Sequence, residues 1–398
     1  MHPVLSIGSY IFTMYIILSL TGWCTEGAGL TTLYGSAGGR TAIVLFSLAA
    51  VLPVLGTLLP DSRIKFALQG AGNIWLGFYI YYGSSLALLW GIYQIFRRIT
   101  GRERSRTVCA ALLLICILLS VGGMAYGMIH AQHTVVTRLS LDIEKKTKGT
   151  EEVKLILIGD LHLSVNSHLS TIERMVELIN GEKADAVLIA GDIFTSSYNS
   201  LKDPEKYAAV LRGLQSTYGT YAVYGNHDVE EGLFGGFPVT PIARAFRSKK
   251  MEDFFTACNF RTLYEETALI ADGQIQIVGR ADGEKAGNGT AIRKSPAEIL
   301  ADIDPEKPVI VLQHEPVEFA ALKESGADLA LCGHTHAGQF FPGNLIVPFF
   351  NENAYGFKVV GGLYTVVTSG IGYYGPPMRV GTNSEIMVLT LRFTGPVA

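Results

Sequence analysis

The sequence predicts a helical transmembrane region over residues 1–131 joined to an α/β domain over residues 132–398. Three observations carry that division. Apolar stretches free of Lys, Arg, Asp and Glu crowd the first 130 residues. Short apolar strands alternate with helical periodicity after them. Five of those strands then run into Asp, Asn or His at their carboxyl ends. The bulk numbers agree with an uneven chain: mean hydropathy is +0.30 and charged residues make up only 17%, low for a soluble enzyme. A net charge of −3 gives no reason to expect nucleic acid as a partner.

The four apolar stretches are Val4–Trp23, Thr41–Leu59, Asn73–Phe96 and Thr107–His130. Each approaches or exceeds the roughly 20 residues a helix needs to cross about 30 Å of hydrocarbon. Lipid leaves no partner for an open backbone group, so helix is the expected conformation. The first stretch has no Lys or Arg before Arg40, which argues against a cleaved signal peptide. Between the third and fourth, Arg97, Arg98, Arg102, Arg104 and Arg106 make a short basic loop. Basic loops stay in the cytoplasm, which predicts a multi-pass protein of the cell membrane with its α/β domain outside. Arg138, Lys145, Lys146 and Lys148 oppose this orientation from farther along the chain.

In the second part, His133–Ile143 reads as a first strand and Val153–Ile158 as a buried one. Thr171–Asn180 and Pro204–Leu214 have helical periodicity, and Ala186–Ala190, Thr220–Tyr224, Val309–Leu312, Leu329–Cys332 and Leu363–Thr368 are further apolar runs. Alternation of this kind marks a layered α/β domain. The five cysteines, Cys24, Cys109, Cys116, Cys258 and Cys332, contain no CxxC pair, so buried free thiols are expected rather than a disulfide framework or thiolate zinc.

Chemistry gathers where the strands end. Val153–Ile158 runs into Gly159-Asp160-Leu161-His162, Ala186–Ala190 into Gly191-Asp192, and Thr220–Tyr224 into Gly225-Asn226-His227-Asp228. Val309–Leu312 runs into Gln313-His314, and Leu329–Cys332 into Gly333-His334-Thr335-His336. Ligands bind at that edge of open α/β sheets. Imidazole and carboxylate together suit Mn, Fe or Zn rather than Ca or Mg. A pair of such ions needs a bridging carboxylate and several terminal ligands, and Asp160, His162, Asp192, Asn226, His314, His334 and His336 supply that number.

These ordered blocks resemble the calcineurin-like metallophosphoesterase superfamily, whose signature runs Asp-x-His, Gly-Asp, Gly-Asn-His-Asp/Glu, a lone His and Gly-His-x-His. The tail resembles a membrane-linked bacterial branch through Gly333–Gln339, Gly370-Ile371-Gly372 and Pro376-Pro377-Met378-Arg379, with Ala337 where that branch more often has Gly. The resemblance covers roughly residues 133–393 and implies a two-sheet β-sandwich flanked by helices. It implies one divalent metal on Asp160, His162, Asp192 and His336, and a second on Asp192, Asn226, His314 and His334. His227 is implied as the catalytic histidine, oriented by Asp228. Two such cations would lower the pKa of a shared water and clamp phosphoryl oxygens.

The function expected is metal-dependent hydrolysis of a phosphomonoester or phosphodiester, a lipid-linked or envelope substrate included, with the bilayer as the other partner. A membrane sensor or scaffold with a non-catalytic domain is the rival, and the intact ligand set argues against it. Phe340, Phe341, Phe349, Phe350 and Tyr355 form either an apolar lip or loop packing. Arg280, Asp282 and Arg379 are candidates for phosphate or headgroup contact, against solvated surface charge. Gly287-Asn288-Gly289 reads as a turn.

Overall fold

A computed structural model describes residues 3–27, 29, 37–234, 237–238, 244–285 and 293–395; the Gly287-Asn288-Gly289 turn lies outside them. Packing divides the chain into two compact units. One holds Met1–Ile129, Gly232–Pro241 and Gly375–Met378, and the other His130–Glu231, Ile242–Tyr374 and Arg379–Ala398.

The first unit contains helices α1 (Pro3–Gly27), α2 (Ala37–Leu58), α3 (Arg63–Thr100) and the start and body of α4 (Arg106–His130). Helix α3 runs past the expected segment at both ends. Its N-terminus is capped by the Ser62 hydroxyl, which accepts from the Lys65 amide, and it stops at Gly101 in the left-handed region. Cys24, Leu86, Cys109 and Cys116 are fully buried in the cluster these helices share, beside Tyr82 and Trp90. Among the described residues one helix, α4, is long and apolar enough to cross a membrane, with mean hydropathy 2.6. Only 22% of its most apolar window is buried, whereas the core helix of a soluble protein is mostly covered. Leu114, Leu118, Leu119 and Val121 face outward instead. That outward apolar surface suits a helix in contact with lipid. Helix α3 has the length, but its tyrosines, tryptophans and glycines dilute its hydropathy.

The second unit is built on two six-stranded sheets. The first contains β1 (Thr134–Ile143), β2 (Glu152–Ile158), β3 (Ala186–Ala190), β4 (Thr220–Val223), β5 (Phe260–Thr262) and, from the chain's far end, β12 (Ser384–Phe393). Their order is β1-β12-β2-β3-β4-β5, with β12 parallel to β1 and antiparallel to β2. The second contains β6 (Glu266–Ile270), β7 (Ile275–Gly279), β8 (Val309–Leu312), β9 (Leu329–Cys332), β10 (Gly356–Val360) and β11 (Leu363–Val367). Its order is β10-β11-β9-β8-β7-β6, and the inner strands are parallel.

Strand periodicity assigns each side chain to a layer. Leu155, Leu157 and Leu188 of one sheet meet Ile310, Leu312, Leu329 and Leu331 of the other in a shared core. Their neighbours Ile156, Ile158, Val187 and Ile189 face the opposite way, onto helices α5 (Leu169–Glu182), α6 (Pro204–Leu211) and α7 (Lys249–Ala257). Val309 and Val311 likewise turn outward onto Phe319 and Leu322 of the short helix α8 (Phe319–Glu324). The domain is therefore an α/β layering of two mixed sheets between helices. All five cysteines are free and buried.

Replacing Leu188 by Ala empties space between two sheets that cannot both collapse inward. We expect a loss of about 2–5 kcal/mol of unfolding free energy. Leu269→Ala, at a side chain 55% exposed, should stay within about 0.5 kcal/mol. Urea unfolding of the full chain in detergent would compare them, and equal losses would contradict this layering.

Candidate metal centre

Five strands of the two sheets bring the predicted residues together. Asp160, His162, Asp192, His314 and His336 are buried, as is Asn226. Asp160, His162, Asp192, His334 and His336 all leave their strands with positive φ, between 46° and 74°. Such a conformation costs of order 1–3 kcal/mol for a residue with a Cβ and persists only where the surroundings impose it. Here they do. The Asp160 carboxylate accepts from the His334 amide at 3.1 Å on both oxygens, and Asp192 Oδ1 accepts from the His227 amide at 2.8 Å. A Cβ on Gly225 would lie 2.1 Å from Asp192 Oδ1, so only glycine lets that carboxylate approach.

The second carboxylate oxygen of Asp192 lies 3.2 Å from His314 Nε2 and 3.5 Å from His162 Nε2. His162 Nε2 is 3.0 Å from His336 Nε2, which is 3.5 Å from Asp160 Oδ1. On the other side His314 Nε2 is 3.0 Å from Asn226 Oδ1 and 3.2 Å from His334 Nδ1. Ligand atoms of Asp160, His162 and His336 lie within 4.8 Å of one another, and so do those of Asp160, Asp192 and His314. Asp160 belongs to both groups, and the second oxygen of Asp192 approaches a histidine of each, His162 and His314.

This donor set fits divalent cations. His314 donates Nδ1–H to the Ala190 carbonyl at 2.7 Å, which leaves the Nε2 lone pair to take a proton or a metal. That lone pair faces a carboxylate oxygen, an amide and a third ring, an arrangement that repels itself unless positive charge sits among them. Metal–ligand bonds of about 2.0–2.2 Å place neighbouring ligand atoms about 3–3.5 Å apart, the spacing found here. Burial pushes the His162 and His334 pKa values down to about 3, keeping those rings neutral and their lone pairs available. Burial also pushes Asp160 up to about 7, helped by the Asp192 charge and opposed by His314. At His314 burial works against the charged ring, but the carboxylate of Asp192 outweighs it and raises its pKa well above the usual value. The centre thus demands a cation, and in a loaded site a metal would take the proton's place.

Residues 153–338 match the family described as calcineurin-like phosphoesterase. The match takes in every strand-end cluster described above, from Asp160 to His336. An uncharacterized metallophosphoesterase of Aquifex aeolicus is 29% identical over 274 residues, covering 68% of this chain and 97% of its own. One from Helicobacter pylori (strain ATCC 700392 / 26695) is 33% identical over 249 residues, 61% of each chain. The Danio rerio protein named "Transmembrane protein with metallophosphoesterase domain" is 30% identical over 295 residues, 70% of this chain and 62% of its own.

Around the phosphoesterase centre the structure corrects two readings and adds several residues. Asp228 does not orient His227. Its oxygens accept from the amides of Phe194 at 2.9 Å and Gly225 at 2.8 Å, tying two strand-end loops together. The His227 ring is held by Ser196 Oγ, 2.9 Å from Nδ1, and by Glu231 Oε1 at 3.3 Å. Ser196 donates to Glu231 at 2.7 Å, and Lys285 Nζ grips both Glu231 oxygens at 2.9 and 2.8 Å. Burial favours the neutral acid at Glu231, but His227 and Lys285 outweigh it and lower its pKa. Tyr374 stacks on His227 with ring centres 4.5 Å apart. Gln339 clamps the Tyr374 backbone, donating to its carbonyl at 3.0 Å and accepting from its amide at 2.8 Å.

Arg280 and Arg379 are fully buried rather than poised for a headgroup. Arg280 donates to Gln313, Glu318 and the Lys294 carbonyl. Arg379 donates to the carbonyls of Ser369, Gly370 and Gly372, and lies 3.4 Å from His336 Nδ1. It holds the Gly-Ile-Gly turn behind the centre. Asp282 Oδ1 accepts from the Glu284 and Lys285 amides, and its other oxygen is buried with no partner among the described residues.

Asp228→Ala should therefore behave as a stability mutant. It strands two buried N–H groups at about 1–3 kcal/mol each. Thermal unfolding of the full chain should show a lowered Tm. An unchanged Tm would return Asp228 to the role of orienting His227.

Proposed function

We propose that this protein is a membrane-anchored hydrolase of phosphomonoesters or phosphodiesters working with two divalent cations. The observation that carries the reading is the position of Asp192. One of its oxygens lies between the imidazoles of His162 and His314, and the other accepts from the backbone of His227. In this reading Asp160, His162, Asp192 and His336 hold one cation, and Asp192, Asn226, His314 and His334 the other. When bound, such a pair supplies a water nucleophile ionisable near neutrality and neutralises charge on the phosphoryl oxygens.

The chain's own part is positioning and proton supply. His227 keeps Nδ1 on Ser196 and Glu231, which leaves Nε2 to carry the proton for the departing alkoxide. The ionised Glu231, paired with Lys285, stabilises the imidazolium this requires. Tyr374 fixes the plane of the ring by stacking. Burial of the cluster excludes bulk water and strengthens every charge interaction inside it.

The Danio rerio relative's name supports a phosphoesterase domain and a membrane region in one chain. The basic loop from Arg97 to Arg106 supports a cytoplasmic loop, several crossings and an extracytoplasmic catalytic domain. A non-catalytic scaffold is the competing reading; it predicts no turnover with any phosphoester.

Two substitutions separate the roles. His227→Ala should retain both metals by elemental analysis and lose roughly 10²–10⁴-fold in kcat on bis(p-nitrophenyl) phosphate with Mn supplied. Metal-free protein with that one change would show His227 to be a ligand. Asp192→Ala should lose bound metal itself, and two ions per chain in that variant would rule out a bridging position. If wild-type protein grown with Mn, Fe and Zn carries no ion, the hydrolase reading falls.

A further inference from the structure

The segment that follows the last histidine motif carries a feature that phosphoester chemistry does not use. From Phe340 to Asn351 no residue is charged. Five large apolar side chains there are open to solvent: Phe341 at 50%, Leu345 at 58%, Ile346 at 49%, Phe349 at 85% and Phe350 at 80%. Single exposed apolar residues are ordinary, but a contiguous uncharged group marks a surface that meets protein or membrane.

The anchoring of this strap decides between those partners. At its root the Phe341 amide donates to the Val380 carbonyl at 2.9 Å, and Thr382 Oγ1 donates to the Gln339 carbonyl at 2.5 Å. Thr382 is held in turn by the end of α4. His130 Nε2 lies 3.2 Å from the Thr382 carbonyl and 3.0 Å from Asn383 Oδ1. His130 is the last residue of the apolar helix. The strap is thus bonded, through one short segment, to the last residue of α4. At its other end the Thr335 hydroxyl donates to the Ala354 carbonyl at 2.6 Å, which closes it beside His334 and His336.

We infer that the strap around Phe341–Phe350 inserts into the face of the same bilayer that α4 enters, so that the phosphoesterase centre opens next to lipid headgroups. Lack of charge, two adjacent and almost fully exposed phenylalanines and a root tied to a membrane helix fit a lipid surface; a protein partner would be expected to find polar groups to pair with. The consequence is a substrate class: phosphoesters whose apolar part stays in the membrane. This rests on reading α4 as a membrane helix, and the test separates the two.

The full chain would be placed one copy per nanodisc containing brominated phosphatidylcholine, with a bimane fluorophore on Phe349→Cys. Leu118→Cys on α4 serves as the lipid control and Arg174→Cys on α5 as the aqueous one. The native cysteines are all buried, so unsubstituted chain is the labelling blank. Bromolipid quenching at position 349 should come within about twofold of that at 118, and iodide quenching should fall at least fivefold below that at 174. Lipid quenching at 118 with iodide quenching at 349 overturns the strap proposal alone. Iodide quenching at 118 shows that α4 is not in lipid and removes its foundation. Protection of 349 that needs two copies per disc assigns the patch to a second copy of the chain and also overturns it.

Discussion

The structure depends on a carboxylate that has no business being ionised where it sits. Asp192 is 2% exposed and its backbone is in the left-handed region, yet its pKa lies well below the ordinary carboxylate range. Burial opposes that charge, and the imidazoles of His314 and His227 outweigh the burial. An unpaired buried charge would cost several kcal/mol. The sheets exist in their present order to prevent that: β3 delivers Asp192, while β2, β4, β8 and β9 deliver the groups that surround it. Those strands come from both sheets of the sandwich, so neither sheet could build the centre alone.

The same constraint explains where strain collects. Five of the seven converging residues sit at positive φ although none is glycine. A relaxed turn would point these side chains along the strand axis or outward. Hydrogen bonds from neighbouring loops hold the strained form: His334 to Asp160, His227 to Asp192, and the Gly372 amide to the Asp160 carbonyl at 2.7 Å. Behind them Arg379 fastens the Gly-Ile-Gly turn with its guanidinium. A buried cation directly behind His336 also discourages a proton on that ring, in the same sense as burial does. The backing layer thus keeps a histidine neutral as well as in place.

Much of this was legible in the sequence because strand ends leave a linear signature. A buried parallel strand reads as a short apolar run, and the polar residues just past its end, led by glycine everywhere except before His314, face the ligand edge. Val153–Ile158, Ala186–Ala190, Val309–Leu312 and Leu329–Cys332 therefore gave both strands and site. The strands of the two sheets that escaped notice are Phe260–Thr262, Glu266–Ile270, Ile275–Gly279, Gly356–Val360 and Ser384–Phe393, none of which runs into a Gly-Asp, Gly-Asn or Gly-His pair. Phe260–Thr262 is three residues long, and Ser384–Phe393 lies at the far end of the chain, although it forms the link between β1 and β2. The residues around His227 escaped for a related reason. Asp228 is adjacent in sequence, but it closes a tight turn, its amide donating to the Gly225 carbonyl at 3.2 Å, and its carboxylate turns to the backbone. Glu231, four residues on, and Ser196, four beyond Asp192, carry no motif. Lys285 reaches Glu231 only through tertiary folding, which no local spacing encodes.

The arrangement around His227 also bears on what the inferred contact between strap and lipid would do for the centre. Glu231 and Lys285 form an ion pair with side chains 0% and 4% exposed, which on its own is weak support for stability. Its value lies in keeping a carboxylate ionised against His227 in a place where solvent cannot do so. That requires the mouth of the site to stay dry. Tyr374 covers His227 from one side, and Gln339 fixes Tyr374. Gln339 is also the residue from which the apolar strap departs. A strap seated in lipid would hold Gln339, and through it Tyr374, against displacement by water. A strap left in solvent would have only its own short hydrogen bonds to do so. Substrate delivery and proton supply would then share one mechanical support, with the bilayer as part of it.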